Sequence, residues 1–215
     1  KSILGFTRGS RQAIWVYDVG RRTFTRLPFD GEGAWPIWTP DGKNVVFWGR
    51  TSTTGDSLYQ ISADGTGRAA PLPGFGGAGY PCDWSHDGDE LVYLENATGA
   101  RSIQAFSLSG KTTRALVQIG KGGAGYAAVS PDGRWLAYVT SESGRGEVFV
   151  QPYAGGARTT VSTNGGHSPR WARDGRELIF IEPREPARSV YWSVPVAASS
   201  TLTLGTPRRI GEVAN

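Results

Sequence analysis

Four segments of this 215-residue chain align without a gap: WTPDGKNVVFW (38–48), WSHDGDELVYL (84–94), VSPDGRWLAYV (129–139) and WARDGRELIFI (171–181). Each runs from a bulky apolar residue, through a small or polar residue and a variable one, to Asp-Gly. Two mostly polar positions and an alternating apolar stretch follow. The aspartates Asp41, Asp87, Asp132 and Asp174 stand 46, 45 and 42 residues apart. Self-similarity at such a period marks a repeat architecture, in which one small unit recurs and buries its apolar faces against its neighbours.

Asp-Gly between two apolar runs is a strong hairpin signal, and the type I′ turn it suggests needs positive φ at both central residues. In the strand after the turn, Val45 and Phe47, Leu91 and Tyr93, Leu136 and Tyr138, and Leu178 and Phe180 share one face. Before the turn, Trp38, Trp84, Val129 and Trp171 recur three residues ahead of the aspartate, where such large side chains should wedge between neighbouring sheets. A third apolar strand follows at 58–62, 103–108, 148–153 and 190–196, and a short fourth around 70–72, 115–119, 159–162 and 207–210. Four short strands in about 44 residues make one blade of a β-propeller. The opening residues 3–6, 13–19 and 24–29 read as the second, third and fourth strands of a blade lacking its first.

The expected fold is therefore all-β: one propeller domain over 1–215, with a partial blade at 1–30 and four-stranded antiparallel blades at about 31–76, 77–121, 122–165 and 166–215. No stretch of ten residues carries helical periodicity. After Ile210 only residues 211–215 remain, too few for another strand of the motif type. The chain also starts at Lys1 and contains no methionine. It reads as a fragment of a larger polypeptide and of a larger ring, with one further blade, or part of one, cut away.

Composition agrees. The 31 glycines and 13 prolines, with eight each of Trp, Tyr and Phe, suit tight turns between short strands. The single cysteine, Cys82, excludes an internal disulfide framework and a multi-cysteine zinc site. The net charge of +4 comes from arginines scattered singly, whereas nucleic-acid binders cluster theirs, so no nucleic-acid partner is expected. No apolar run approaches the roughly 20 residues that span a bilayer, so no membrane insertion of this segment is expected.

The repeat of Trp, then Ser or Thr, any residue, Asp-Gly, two more residues, an aliphatic, any residue, and Phe or Tyr resembles the TolB-type, WD-repeat-like propeller repeat of bacteria. It is distinct from the eukaryotic WD repeat, whose Trp-Asp dipeptide does not occur here. Residues 130–181, through the QPY strand and a Gly-Gly turn, are similar to propellers on the carboxyl side of bacterial Ser/Thr protein kinases, as is GTPRRI at 205–210. The chain departs from the pattern at Cys82 and Ala127, where proline is frequent, and at Val129, where Trp is usual. The resemblance implies a non-catalytic and usually six-bladed propeller. It would serve protein interaction or ligand sensing in a larger extracytoplasmic or periplasmic bacterial protein. A receptor-type Ser/Thr kinase is the first parent it implies and a TolB-like periplasmic protein the second. The substrate-gating propeller of a prolyl-oligopeptidase-like serine peptidase is the enzymatic alternative.

Within the chain itself no catalytic apparatus is expected. There is no HRD, no DFG, and no phosphate-cradling glycine loop followed by lysine. The glycine clusters at 74–80 and 120–126 lead into strands, not a helix amino terminus, and read as linkers between blades. No G-x-S-x-G elbow occurs, and His86 and His167 are the only histidines, the first inside an Asp-Gly turn. Cys82 and Asp83 are adjacent on a strand and point to opposite faces, which argues against a metal held with His86. Each repeated aspartate offers one carboxylate, whereas calcium takes six to eight oxygens. The sequon Asn96-Ala97-Thr98 matters only in a secretory eukaryotic setting. Neither cofactor nor metal is expected. What remains is the segment leading into each first strand, beside the central channel, where concave binding surfaces form. It holds Trp35, Tyr80, Tyr126 and His167, with Asp83 and Arg170 further in. These six are candidates for gripping a protein or peptide partner, or a small ligand in the channel, although such aromatics also serve simply to pack blade on blade.

Overall fold

The computed structural model describes residues 2–6, 12–53, 55–96, 101–119, 123–184, 187–198 and 201–214, and among them every regular element is a β-strand. Ala97 and Thr98 of the sequon and residues 120–122 of the second glycine cluster lie outside the described residues. The strands form five antiparallel sheets in chain order. The first is three-stranded: β1 (Ser2–Phe6), β2 (Ile14–Asp18) and β3 (Thr23–Arg26). The second holds β4 (Glu32–Trp38), β5 (Asn44–Thr51), β6 (Gly55–Ser62) and β7 (Ala70–Pro71). The third holds β8 (Gly79–Trp84), β9 (Glu90–Asn96), β10 (Arg101–Ser107) and β11 (Thr113–Ile119). The fourth holds β12 (Ala124–Val129), β13 (Trp135–Thr140), β14 (Glu147–Pro152) and β15 (Thr159–Thr160).

The fifth sheet corrects the sequence reading. After β16 (His167–Trp171) and β17 (Glu177–Arg184), β18 (Arg188–Ala198) is eleven residues long and offers two successive edges. Its end pairs with an unforeseen strand, β19 (Leu202–Leu204), and its start pairs with β20 (Arg208–Ala214). The fourth strand, expected at 207–210, therefore runs on through residues 211–214.

The Asp-Gly turns are also not type I′. Positive φ occurs only at the glycines, 68° at Gly42, 77° at Gly88, 73° at Gly133 and 69° at Gly175. Each glycine N–H donates to the carbonyl three residues back, as from Gly42 to Thr39 at 2.8 Å and from Gly133 to Ser130 at 2.8 Å. This is a type I turn followed by a left-handed glycine. Two forces select it. Pro40 and Pro131 hold φ near −65° at the second turn position. The Asp41 carboxylate accepts from the Thr39 hydroxyl at 2.6 Å and the Lys43 N–H at 3.0 Å, while Thr39 Oγ1 accepts from Asn44 N–H at 3.0 Å. Ser85, Asp87 and Glu90 repeat the arrangement, as do Ser130, Asp132 and Trp135. The glycine also lets neighbouring sheets close up, since a Cβ on Gly133 would lie 2.7 Å from His86 Cβ.

The second strands β5, β9 and β13 are buried on both faces, whereas β17 buries one and leaves Ile179 and Ile181 half-buried, and four apolar clusters fill the four joints between successive sheets. Val45 and Phe47 pack toward Ile14 and Leu27 of the first sheet, while Val46 and Trp48 pack toward Leu91 and Tyr93 of the third. Leu136 and Tyr138 meet the third sheet, and Leu178 and Phe180 meet the fourth. Trp38, Trp84 and Trp171 each join the cluster between their own sheet and the preceding one, as wedges. Their indoles also clamp the joint: Trp84 Nε1 donates to Trp38 O at 2.8 Å, and Trp171 Nε1 to Ala128 O at 3.1 Å. Where Val129 replaces the tryptophan, polar groups bridge the third and fourth sheets instead. Asp83 Oδ2 accepts from Val129 N–H at 2.9 Å, Gln151 Nε2 donates to Leu116 O at 3.1 Å, and Tyr153 OH donates to Glu90 at 2.9 Å.

The first sheet occupies the second, third and fourth strand places. Leu27 N–H donates to Ile14 O at 2.9 Å, as Leu72 does to Leu58 at 2.8 Å and Val161 to Val148 at 2.9 Å. In the same way β1 packs on β4 as β5 packs on β8. Among the described residues no apolar cluster joins the fifth sheet to the first. Phe24 on the first sheet is 69% exposed, and Ile210 and Val213 on the fifth are 50% and 52% exposed.

Candidate binding cleft at the channel

The first strand of each complete sheet slips register once: between Ala34 and Ile37, Pro81 and Asp83, Gly125 and Ala127, and His167 and Arg170. At three of these bulges a non-glycine residue is left-handed, with φ of 50° at Trp35, 44° at Tyr126 and 53° at Ser168. All three stand six residues before the repeat aspartate. The third sheet has Pro81 there, whose ring forbids positive φ, and the unpaired residue becomes Cys82. A left-handed non-glycine residue costs on the order of 1–3 kcal/mol, and a bulge re-aims its side chain. Here the bulges set Trp35 and Tyr126 along a common hollow.

That hollow has a volume of about 380 Å³. Its walls come from β4 (Trp35, Pro36, Ile37), β8 (Tyr80, Pro81, Cys82), β9 (Leu94), β10 (Arg101), β12 (Tyr126, Ala127) and β16 (Arg170). The Trp35 and Tyr80 rings are 4.2 Å apart, centroid to centroid, and Trp48 lies 5.8 Å behind Trp35. Tyr126 stays 44% exposed. A wider hollow of about 830 Å³ opens between the first and second sheets, where Arg26 and Arg50 meet Asp30 and Glu32 and Phe29 is the one aromatic ring, against three rings and no carboxylate along the cleft.

Four of the six residues singled out in the sequence, Trp35, Tyr80, Tyr126 and Arg170, line the cleft. Asp83 and His167 do not. The Asp83 carboxylate accepts from Val129 N–H and Trp84 N–H, both at 2.9 Å, and so ties two sheets together. Burial raises its pKa, against the pull of those two bonds and of the Arg170 charge. His167 places Nδ1 2.9 Å from Ser168 Oγ, its ring centroid 6.3 Å from that of Tyr126, and burial lowers its pKa. Burial pushes the Cys82 thiol up to about 11, so it is protonated at neutral pH and donates to Tyr80 O at 3.5 Å. A thiol held that way is a poor nucleophile.

Arg101 was missed, because nothing in its own repeat marks it. It sits at the start of β10 and reaches the cleft only through the pairing of the third sheet. The sequence reading also set Tyr80 level with Trp35 and Tyr126, whereas Pro81 is their true counterpart. Among the described residues no group of three His, Cys, Asp or Glu side chains is placed to hold a metal.

No family model matches this chain, and no curated protein matches its sequence. Solved structures do. A protein assigned as TolB from Agrobacterium tumefaciens matches at a TM-score of 0.80 and 15% identity, covering 100% of this chain and 78% of that one. TolB from Acinetobacter baumannii matches at 0.72 and 16% identity, over 96% of this chain and 52% of that one. An oligogalacturonate lyase in complex with manganese matches at 0.59 and 17% identity, over 85% of this chain and 54% of that one. At such identities the likeness is one of fold, and the fold of this chain is a TolB-type β-propeller. One architecture serves both TolB and a lyase, so function has to be argued from the cleft.

Proposed function

We propose that this chain is a non-catalytic propeller module that grips a protein or peptide partner in the channel cleft. One observation carries the reading: bulged, strained first strands from separate sheets converge on a hollow lined by Trp35, Tyr80, Tyr126 and Arg170. Rigid aromatics supply large contact area at little entropic cost, and strain concentrates where a fixed geometry is used. The only thiol at the cleft is protonated, and the nearest histidine is turned to Ser168. That favours binding over nucleophilic chemistry.

Residues 1–215 are taken as one domain, the partial blade followed by four complete ones, belonging to a larger extracytoplasmic bacterial protein. The TolB neighbours favour a TolB-like periplasmic parent. A receptor Ser/Thr kinase parent rests on the likeness through residues 130–181, and a gating propeller ahead of a serine peptidase remains the enzymatic reading. A random-peptide phage library selected on the purified chain tests the proposal. Enriched peptides should lose binding to a Tyr126→Ala variant and keep it with Arg173→Gln, in the loop beyond β16. The chain should also cleave no peptide and phosphorylate no protein. Peptides indifferent to Tyr126→Ala, or turnover in either assay, would overturn it.

A further inference from the structure

We infer that the cleft receives a carboxylate set beside an aromatic or branched apolar side chain, as a short peptide segment presents it. This rests on the binding role proposed above and names its chemistry. Nine arginines among the described residues form ion pairs with carboxylates, from Arg50 with Asp56 to Arg209 with Glu212. Arg101 and Arg170, the two charged residues of the cleft wall, belong to the eight described arginines outside these pairs, and they alone of the eight stand at the cleft. Arg170 instead donates Nη1 to Pro169 O at 3.1 Å. The carboxylate whose charge Arg170 feels, Asp83, has its two oxygens engaged by backbone N–H groups. Two exposed arginines thus share the cleft wall with the apolar side chains of Trp35, Ile37, Tyr80 and Leu94.

A guanidinium presents a planar fork of donors that matches a carboxylate, and a charge-assisted bond is stronger at the edge of an apolar site than in open water. The volume of about 380 Å³ lies at the small end of ligand sites, which suits a few side chains and not a folded surface. Two cations without a basic stripe around them do not make a track for a nucleic-acid backbone.

Fluorescence anisotropy with three labelled peptides decides the matter: GSGSLF with a free carboxyl terminus, the same peptide amidated, and an amidated GSGSLFEGS. At least one acid-bearing peptide should bind about tenfold more tightly than the neutral amide, and the free terminus against the internal glutamate tells which carboxylate is taken. Arg101→Gln and Arg170→Gln should each weaken that binding about tenfold, the corresponding lysine variants should recover part of it, and Arg173→Gln should leave it unchanged. Both arginines are exposed, and melting curves confirm that the variants fold. Equal binding of the neutral amide, undiminished binding by the double Gln variant, no binding of any peptide at millimolar concentration, or tighter binding of an oligothymidine would overturn the inference. Loss of the acid preference with peptide binding retained would leave the interaction role itself standing.

Discussion

Three of the four repeat Asp-Gly loops are held by a hydroxyl and a carboxylate acting together, and the fourth is incomplete. Ala172 stands where Thr39, Ser85 and Ser130 supply the hydroxyl, and of the side-chain bonds in that loop only Arg176 N–H to Asp174 remains, at 3.0 Å. Ala172→Ser should therefore stabilise the chain by about 0.5–1.5 kcal/mol, the net worth of a typical hydrogen bond, in urea unfolding. The same bonds lower carboxyl pKa values. At Asp64 the Thr66 hydroxyl, the Thr66 N–H and the Ser62 hydroxyl take the value from 3.8 to about 2, and the Thr39 hydroxyl acts likewise on Asp41. A carboxyl lowered on folding adds stability above its unfolded value and loses it as pH falls through the folded one. The melting-temperature gap between the native chain and Asp64→Asn should close as pH drops from about 4 to about 2. A gap independent of pH would contradict that bonding.

Elements built from local pattern were legible. The recurring Asp-Gly, the alternating strand behind it and the tryptophan ahead of it prescribe a sheet using nearby residues alone. Pro40 and Pro131 already spoke against the type I′ turn, since proline favours the second position of a type I turn. The start of β20 is legible as a fourth strand at 207–210, whereas β19 and the run of β20 through residue 214 are not, because they depend on how the two halves of β18 are shared. Asp83 looked like a channel residue, yet it replaces the indole clamp absent at Val129, a compensation visible only once neighbouring sheets are seen together. Trp84 is 9% exposed and bonds across its joint, so Trp84→Ala should cost about 3–5 kcal/mol in denaturant unfolding. Trp38→Ala and Trp171→Ala, at half-buried wedges, should cost less. Near-neutral effects at all three would undo the alignment of the sheets.

Among the described residues the sheets follow one another through four apolar seams, with apolar side chains showing on the first and fifth sheets. Phe24, Ile210 and Val213 are at least half exposed there, and open sheet ends favour association. Analytical ultracentrifugation should show reversible self-association of this chain that Phe24→Ser with Ile210→Thr and Val213→Thr reduces. A strict monomer before and after substitution would mean that the ends are covered. The central claim, that the cleft is where this propeller meets its partner, is reached most directly by the indole N–H resonances of its eight tryptophans. On titration with a selected peptide, the resonance of Trp35 should move most, while those of Trp84 and Trp171, committed to the seams between sheets, should stay put. Shifts confined to Trp84 and Trp171, with Trp35 unmoved, would contradict it.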